Sequence, residues 1–170
     1  MNTYTILKTD IVGDLLLTAN ATHLTGIYFH GKKHSLTAAG DAKLDPKNPI
    51  FRQTAKELQE FFAGKRTAFT IPYTFTGTEF QRAVWRQIAI IPHGDTITYS
   101  ELAARVHAPD AVRSVGTITG QNPISIIVPC HRVIGKDGKL RGYAGGLDRK
   151  QSLLELEGNL LNLELGHSTN

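Results

Sequence analysis

The hydrophobic pattern of the chain changes near residue 75. Before that point, short segments rich in apolar and β-branched residues are separated by Gly13 and Asn20, which is typical of β-strands. One longer segment, residues 51–62, instead places its apolar residues on one face of a helix. The predicted elements of this part are strands at 4–8, 14–18, 23–29 and 68–73, a loop at 31–49 and a helix at 51–62.

Helix signals dominate after residue 77. Thr76 with Glu79, and Thr98 with Glu101, have the spacing of a capping box, in which side chains satisfy free backbone N–H groups. Two short helices joined by a tight turn form a helix-turn-helix pattern. The predicted helices are 79–91, 101–106, 109–120 and a last helix that Asp148 and Gln151 cap and that ends at Gly158.

The two patterns together predict two domains. We expect an α/β N-terminal domain (a small sheet with a helix) over residues 1–74. A mainly α, helix-turn-helix and winged-helix-like C-terminal domain is expected over residues 75–165, with a tail at 166–170. Hydrophobic content of 41% and charged content of 20% fit a globular protein. The start of the chain lacks a signal-peptide pattern, and no apolar run is long enough to span a bilayer.

The positive charge is concentrated in the second part of the chain. Residues 78–150 hold ten Lys and Arg against six Asp and Glu, a net of +4, whereas the rest of the chain is neutral overall. A basic segment beside a neutral one indicates a polyanionic partner. A solvated basic surface is the alternative.

The chain contains a single cysteine, Cys130. It can form no intramolecular disulfide and no cysteine-rich zinc site, so we expect a reducing, cytoplasmic setting and no bound metal. The cysteine is therefore either a buried spectator or a reactive thiol.

Cys130 follows an apolar run and precedes His131 in the stretch IIVPCHRV (residues 126–133). We expect a buried strand that breaks at Pro129, because proline lacks an N–H and restricts the residue before it. A turn there would let the imidazole take the thiol proton. Glu157, near the end of the last helix, is disfavoured by the helix dipole and could be held by His131. The alternatives are an inert core thiol and a solvated Glu157.

The helix predicted at 109–120 offers few long side chains. Arg113 is the one long polar residue before Gln121, and small side chains let a helix approach a narrow minor groove. Packing of these small residues against a neighbouring helix is the alternative. The small residues are Ala111, Ser114, Gly116, Thr117 and Gly120.

Taken in order, these motifs resemble the O6-alkylguanine-DNA alkyltransferase family. The resemblance covers roughly residues 77–158. The motifs are ITYSELA at 97–103, RSVG at 113–116 followed by NP at 122–123, PCHRV at 129–133, YAGG at 143–146 and EG at 157–158.

This resemblance implies direct reversal of DNA damage. The protein would bind duplex DNA through the minor groove as a monomer, with little sequence preference, and flip O6-alkylguanine, and O4-alkylthymine, out of the stack. It would then transfer the alkyl group irreversibly to Cys130, once per molecule and without a cofactor.

The resemblance also assigns roles to individual residues. Glu157, His131 and a water would draw the proton from Cys130. Asn122 would hold the segment before the cysteine, and Tyr99 would donate a proton to the departing guanine. The implied DNA contacts are Arg113, which fills the gap left by the flipped base, with Ser114, Thr117, Tyr99 and Arg132. The implied substrate pocket is formed by Val133, Tyr143, Ala144 and Gly145.

The sequence departs from the family pattern in three places. Ser114 stands where members usually have alanine, and Ala144 stands where some carry a serine that bonds the guanine oxygen. The zinc site that some members form with N-terminal cysteines is unavailable here.

Two other functions remain open from the residues. One is a damage sensor that flips alkylated guanine without repairing it, although such relatives lack the acceptor cysteine. The other is a Cys-His-Glu hydrolase.

Overall fold

The structure is a computed structural model that describes residues 1–32, 35–138, 140 and 142–158. It contains two compact units. The first comprises Met1–Phe75 together with Pro123–Ser125, and the second comprises residues 76–122 and the described residues from 126 onward. The domain limits predicted at 74 and 75 stay a prediction, and the tail predicted at 166–170 lies outside the described residues.

The first unit is built on a four-stranded sheet with the order β3-β2-β1-β4. β1 pairs antiparallel with β2 and β2 with β3, whereas β4 runs parallel to β1. Every residue of β2 is buried, so this strand lies at the centre of the core. The strands are β1 (Thr3–Leu7), β2 (Leu15–Ala19), β3 (Leu24–Phe29) and β4 (Lys43–Leu44), and the helices are α1 (Ser35–Ala38) and α2 (Pro49–Phe62).

Three strands and α2 agree with the prediction to within two residues, but two other assignments were wrong. The predicted loop at 31–49 contains the short elements α1 and β4. Residues 68–73 form no strand, and only an isolated bridge joins Tyr73 to Leu24. Thr70 instead donates from its backbone N–H and its hydroxyl to Oε1 of Glu57 on α2, at 2.8 and 3.0 Å. Arg66 forms an ion pair with the same carboxylate at 2.8 Å. This segment is therefore bound to a helix side chain, and it meets the sheet at Leu24 of β3, whose N–H donates to the Pro72 carbonyl at 2.9 Å.

The second unit is mainly helical. Helices α3, α4 and α5 pack against one another, and the indole Nε1 of Trp85 donates to the carbonyl of Ile118 at 2.9 Å, which joins α3 to α5. Two short strands pair in parallel beside them. The elements are α3 (Glu79–Ala89), β5 (Ile97–Thr98), α4 (Tyr99–Arg105), α5 (Val112–Gly120), a 3₁₀ helix (Cys130–Arg132), β6 (Val133–Ile134) and α6 (Leu147–Leu156). The predicted α/β part followed by a mainly α part is confirmed.

The helix caps show where local patterns succeed and where they fail. Thr98 caps α4 as predicted, accepting from the backbone N–H of Glu101 at 3.1 Å. The capping box of α3 uses Thr78 with Gln81, and the prediction of Thr76 with Glu79 was wrong. α6 begins after Gly146, whose φ of 91° favours glycine, and has no side-chain cap. No helix among the described residues is both long and apolar enough to cross a bilayer.

Candidate functional site

The segment that delivers Cys130 is a series of turns and not a strand. The Cys130 N–H donates to the carbonyl of Val128 at 2.8 Å, and Pro129 between them has φ −83° and ψ 67°. This is the geometry of an inverse γ-turn. Ile126 has a φ of 74°, which a β-branched residue rarely adopts, and its side chain is buried in the core. The turn predicted at Pro129 is confirmed, but the predicted strand before it is wrong.

A buried carboxylate lies at the centre of the site. Oε2 of Glu157 lies 2.9 Å from Nε2 of His131, and both side chains are fully buried. The guanidinium of Arg132 donates to the same carboxylate, from Nε to Oε1 at 2.8 Å and from Nη2 to Oε2 at 2.7 Å. Glu157 is the C-cap residue of α6, where the dipole disfavours an anion, so both partners offset that cost. The alternative of a solvated Glu157 is therefore excluded.

The side chain of Arg132 is buried in the second unit. Its Nη1 donates to the carbonyl of Ile91 at 2.6 Å, so the guanidinium is hydrogen-bonded to both Glu157 and Ile91. Its side chain is only 6% exposed. The prediction that Arg132 contacts DNA is corrected accordingly, because a buried guanidinium held by these acceptors is not presented to a phosphate.

The protonation states of this pair follow from its partners. Burial alone raises the pKa of Glu157, but hydrogen bonds from Arg132 and His131 and their charges lower it to about 2. Burial lowers the pKa of His131, and Glu157 opposes that effect. A neutral imidazole beside an ionised carboxylate carries its proton on the nitrogen that faces the carboxylate, here Nε2. Nδ1 of His131 is buried and makes no hydrogen bond within the described structure, so it is the nitrogen able to accept a proton.

The Cys130 thiol is 5% exposed and protonated at rest. Burial raises its pKa, while a hydrogen bond from Asn122, the charge of Lys150 and backbone N–H groups act in the opposite direction. Asn122 also donates from Nδ2 to the Val128 carbonyl at 2.7 Å, and that carbonyl accepts from the Cys130 N–H as well. Asn122 therefore lies against the segment before the cysteine. The sulfur can become a nucleophile only if a base removes its proton.

Lys150 is a site residue that the sequence reasoning missed. It is fully buried, its Nζ donates to the carbonyl of Val133 at 2.7 Å, and it lies 5.9 Å from the centroid of the Tyr99 ring. A lysine is almost never fully buried without a partner. The available signal was its spacing, because Lys150 follows Leu147 by three residues and precedes Leu154 by four. A charge within such an apolar stripe indicates a core cation.

The parallel pair of β5 and β6 links Tyr99 to the acceptor segment. Ile97 pairs with Val133 and Thr98 with Ile134. Tyr99 directly follows this pair at the start of α4, and β6 directly follows the 3₁₀ helix that begins at Cys130. The short ladder therefore brings together residues that lie about thirty positions apart in the sequence, which spacing alone does not predict.

One face of α5 is exposed and made of small residues around one arginine. Val115, Ile118 and Thr119 form its buried face. A Cβ on Gly116 would lie 3.7 Å from the Tyr99 ring, so this small residue serves close packing. Gly120 has no neighbour within 4 Å of such a Cβ. The exposed residues are Arg113, Ser114, Thr117 and Gly120. The packing interpretation therefore holds for Gly116, whereas the approach of the exposed side to a minor groove stays a prediction.

The predicted pocket residues differ in exposure. Val133 and Gly145 are buried, Tyr143 is half-buried and Ala144 is exposed. Burial raises the pKa of Tyr143 well above 10, and the negative charges of an ionised Cys130 and of Glu157 add to that effect, so the phenol stays neutral. Because the charges of Cys130 and Glu157 both act on its phenol, Tyr143 lies near these two residues. Among the residues that the structure covers, no three His, Cys, Asp or Glu side chains group as a metal site requires.

Comparisons with known proteins extend over nearly the whole chain. Residues 2–75 match the family model "6-O-methylguanine DNA methyltransferase, ribonuclease-like domain", and residues 79–159 match its "DNA binding domain". A protein named methylated-DNA–protein-cysteine methyltransferase from Methanosarcina barkeri is 43% identical over 93% of this chain and 98% of its own. One of the same name from Mycobacterium leprae is 44% identical over 86% of this chain and 87% of its own. The crystal structure of Mycobacterium tuberculosis OGT in complex with DNA superposes with a TM-score of 0.85, at 39% identity, over 96% of this chain and 98% of its own.

Proposed function

Because the chain belongs to the 6-O-methylguanine DNA methyltransferase family, we propose that it repairs alkylated guanine in DNA by transferring the alkyl group to Cys130. It acts as a methylated-DNA–protein-cysteine methyltransferase. One observation carries the proposal. The chain's single cysteine is buried and directly precedes a histidine whose Nε2 is hydrogen-bonded to a buried, ionised carboxylate.

The geometry supports a proton relay. Glu157 holds the proton of His131 on Nε2, so Nδ1 is the base that takes the thiol proton through a water. Asn122, Lys150 and the backbone N–H groups of the 3₁₀ helix stabilise the thiolate as it forms. Burial of the thiol keeps it protonated, and therefore unreactive, until a substrate is bound.

The transfer itself is a single displacement. Sulfur forms a bond to the alkyl carbon while the bond from that carbon to O6 of guanine breaks, and the electron pair of that bond stays with the guanine. Tyr99 donates a proton to the departing base. The thioether product has no leaving group that a thiol or water displaces readily, so each molecule acts once and needs no cofactor.

DNA contact is assigned to the exposed face of α5. Arg113 supplies a positive charge and fills the gap left by a flipped base, while Ser114 and Thr117 let the helix lie close to the minor groove. A face with small side chains around one arginine offers few hydrogen-bond donors and acceptors to base edges. Binding is therefore independent of the DNA sequence. The proposal also takes the protein to act as a monomer.

The remaining assignments concern the substrate and the compartment. Val133, Tyr143, Ala144 and Gly145 surround the flipped base, which is O6-alkylguanine or O4-alkylthymine. Since a serine hydroxyl is missing at Ala144, backbone groups bond the guanine oxygen.

A thiol that must remain reduced fits a cytoplasmic location.

Intact-mass analysis tests the proposal directly. Incubation with duplex DNA that contains O6-methylguanine should replace one hydrogen of the protein by one methyl group, on Cys130, with at most one equivalent transferred. Cys130→Ala is the matched control and should bind the methylated duplex without gaining mass. An unmodified Cys130, or turnover of many equivalents as a hydrolase would give, contradicts the proposal.

A further inference from the structure

Arg132 and His131 share one carboxylate. Both oxygens of Glu157 accept from the guanidinium, and Oε2 also faces Nε2 of His131 at 2.9 Å. The third guanidinium nitrogen, Nη1, donates to the carbonyl of Ile91 at 2.6 Å, which fixes the plane of the fork. Paired donors of this kind hold a carboxylate in one orientation, as a single ammonium cannot.

We propose that Arg132 is a positioning residue of the alkyl transfer: by donating to both oxygens of Glu157, it keeps this carboxylate an acceptor only, so that His131 carries its proton on Nε2 and presents an unprotonated Nδ1. This inference rests on the proposed function, because it takes His131 as the base. It assigns Arg132 a part in the reaction without contact with DNA or with the reacting atoms.

The charge balance around His131 explains why an arginine is needed. A lone buried carboxylate would favour a protonated imidazole beside it, and a protonated His131 cannot act as a base. The guanidinium supplies the positive charge that the carboxylate requires, so the imidazole stays neutral. Burial is the largest cause that lowers the pKa of His131, Glu157 raises this pKa, and the charges of Arg132 and Lys150 lower it further. Among the described residues, the charged groups that act on His131 are Glu157 at the end of α6, Lys150 on α6 and Arg132 on the 3₁₀ helix, and Cys130 precedes it on the same 3₁₀ helix.

The first test measures the protonation of His131 in the wild-type protein. Nitrogen-15 NMR of histidine-labelled protein distinguishes protonated from unprotonated ring nitrogens, and the spectrum of His131→Gln identifies the His131 signals among the seven histidines. At neutral pH we expect Nε2 to be protonated and Nδ1 to be unprotonated. A proton on Nδ1, or an imidazolium at neutral pH, overturns the inference.

The second test removes the guanidinium. In Arg132→Met, the His131 titration should move to higher pH, and the single-turnover methyl-transfer rate should fall about tenfold near pH 6. The rate deficit should shrink as the pH rises. Arg132→Lys keeps the charge but not the paired donors, so it should shift the titration in the same direction by less. Arg86→Met, which removes an exposed arginine of α3, should leave the His131 titration unchanged.

Two results of the variants are decisive. An equal fall in rate at every pH, with an unshifted His131 titration, shows a structural role only and overturns the inference. If Arg132→Met does not fold, Arg132→Lys carries the test, and an unchanged titration together with an unchanged rate in that variant overturns it. The NMR readout does not depend on alkyl transfer. If the wild-type protein takes no methyl group, the proposed function is contradicted. The NMR measurement still decides separately which nitrogen of His131 carries the proton.

Discussion

Lys150 donates from Nζ to the carbonyl oxygen of Val133 at 2.7 Å, in a fully buried position. This bond ties α6 to the strand that directly follows the 3₁₀ helix of Cys130. It also places a positive charge where it lowers the pKa of the thiol. One side chain therefore contributes both to the packing of α6 and to the electrostatics of the acceptor.

Replacing Lys150 by methionine keeps most of the side-chain volume and removes the charge. We expect the pKa of Cys130 to rise, because burial then acts with less opposition, and the single-turnover methyl-transfer rate at neutral pH to fall by about tenfold or more. The deficit should shrink as the pH is raised. Lys136→Met, at an exposed position, is the control. A deficit that is independent of pH would contradict the electrostatic role.

Glu157→Gln removes the negative charge that Arg132 and His131 share and leaves one acceptor oxygen. We expect the transfer rate to fall about 100-fold, as for loss of general-base catalysis. The variant should also lose roughly 3–5 kcal/mol of stability, because the guanidinium stays buried without its counter-ion. Single-turnover kinetics and urea unfolding measure the two effects. Glu155→Gln, an exposed acid two residues earlier, should change neither.

The low pKa of Glu157 makes part of the stability depend on pH. In the folded protein this pKa is about 2, compared with its usual value of 4.5. The carboxylate therefore contributes stability that is fully present above pH 4.5 and is lost as the pH falls toward 2. The contribution is on the order of 3 kcal/mol. Urea unfolding over this pH range should show the stability difference between wild type and Glu157→Gln narrowing as the pH falls. A constant difference would contradict the assignment.

Arg113→Ala tests whether α5 contacts the DNA. We expect methyl transfer from duplex DNA to fall about tenfold or more, and the salt dependence of DNA binding to weaken if Arg113 also meets a phosphate. Transfer from the free base O6-benzylguanine should be unaffected, because no duplex has to be opened. Arg105→Ala, an exposed arginine on α4, is the control. An equal loss with the free base would place Arg113 in the reaction itself.

Two glycines should respond oppositely to alanine. Gly77 has a φ of 153°, and a Cβ there would lie 2.8 Å from Gln81 and 3.0 Å from Trp85. Gly77→Ala should therefore destabilise the protein by roughly 1–3 kcal/mol. Gly120 lies at the end of α5 with open space around it, so Gly120→Ala should stabilise by about 0.5–1 kcal/mol. Thermal unfolding of both variants decides the matter, and equal effects would contradict the backbone argument.

Many of the correct predictions concern features that depend on residues close together in the sequence. The cap at Thr98 and the turn at Pro129 depend on a few neighbouring residues, so the sequence alone indicates them. The wrong assignments arose where a distant group competes. Residues 68–73 look like a strand, but Glu57 on α2 binds Thr70 and Arg66, and residues 126–128 are apolar enough for a strand but fold as turns.

The sequence by itself determined the division into an α/β part and a mainly α part, the single cysteine and its histidine neighbour, because these follow from residue type and short-range spacing. Only the tertiary structure decided the partners of the charged residues. Arg132, in a basic segment, resembles a DNA contact, and Lys150, on a helix, resembles a surface residue. Both are buried because Glu157 and the Val133 carbonyl satisfy them. The spacing of Lys150 indicates burial, but no local pattern identifies the partner of either residue, since a buried charge is stable only when the fold brings its partner to it.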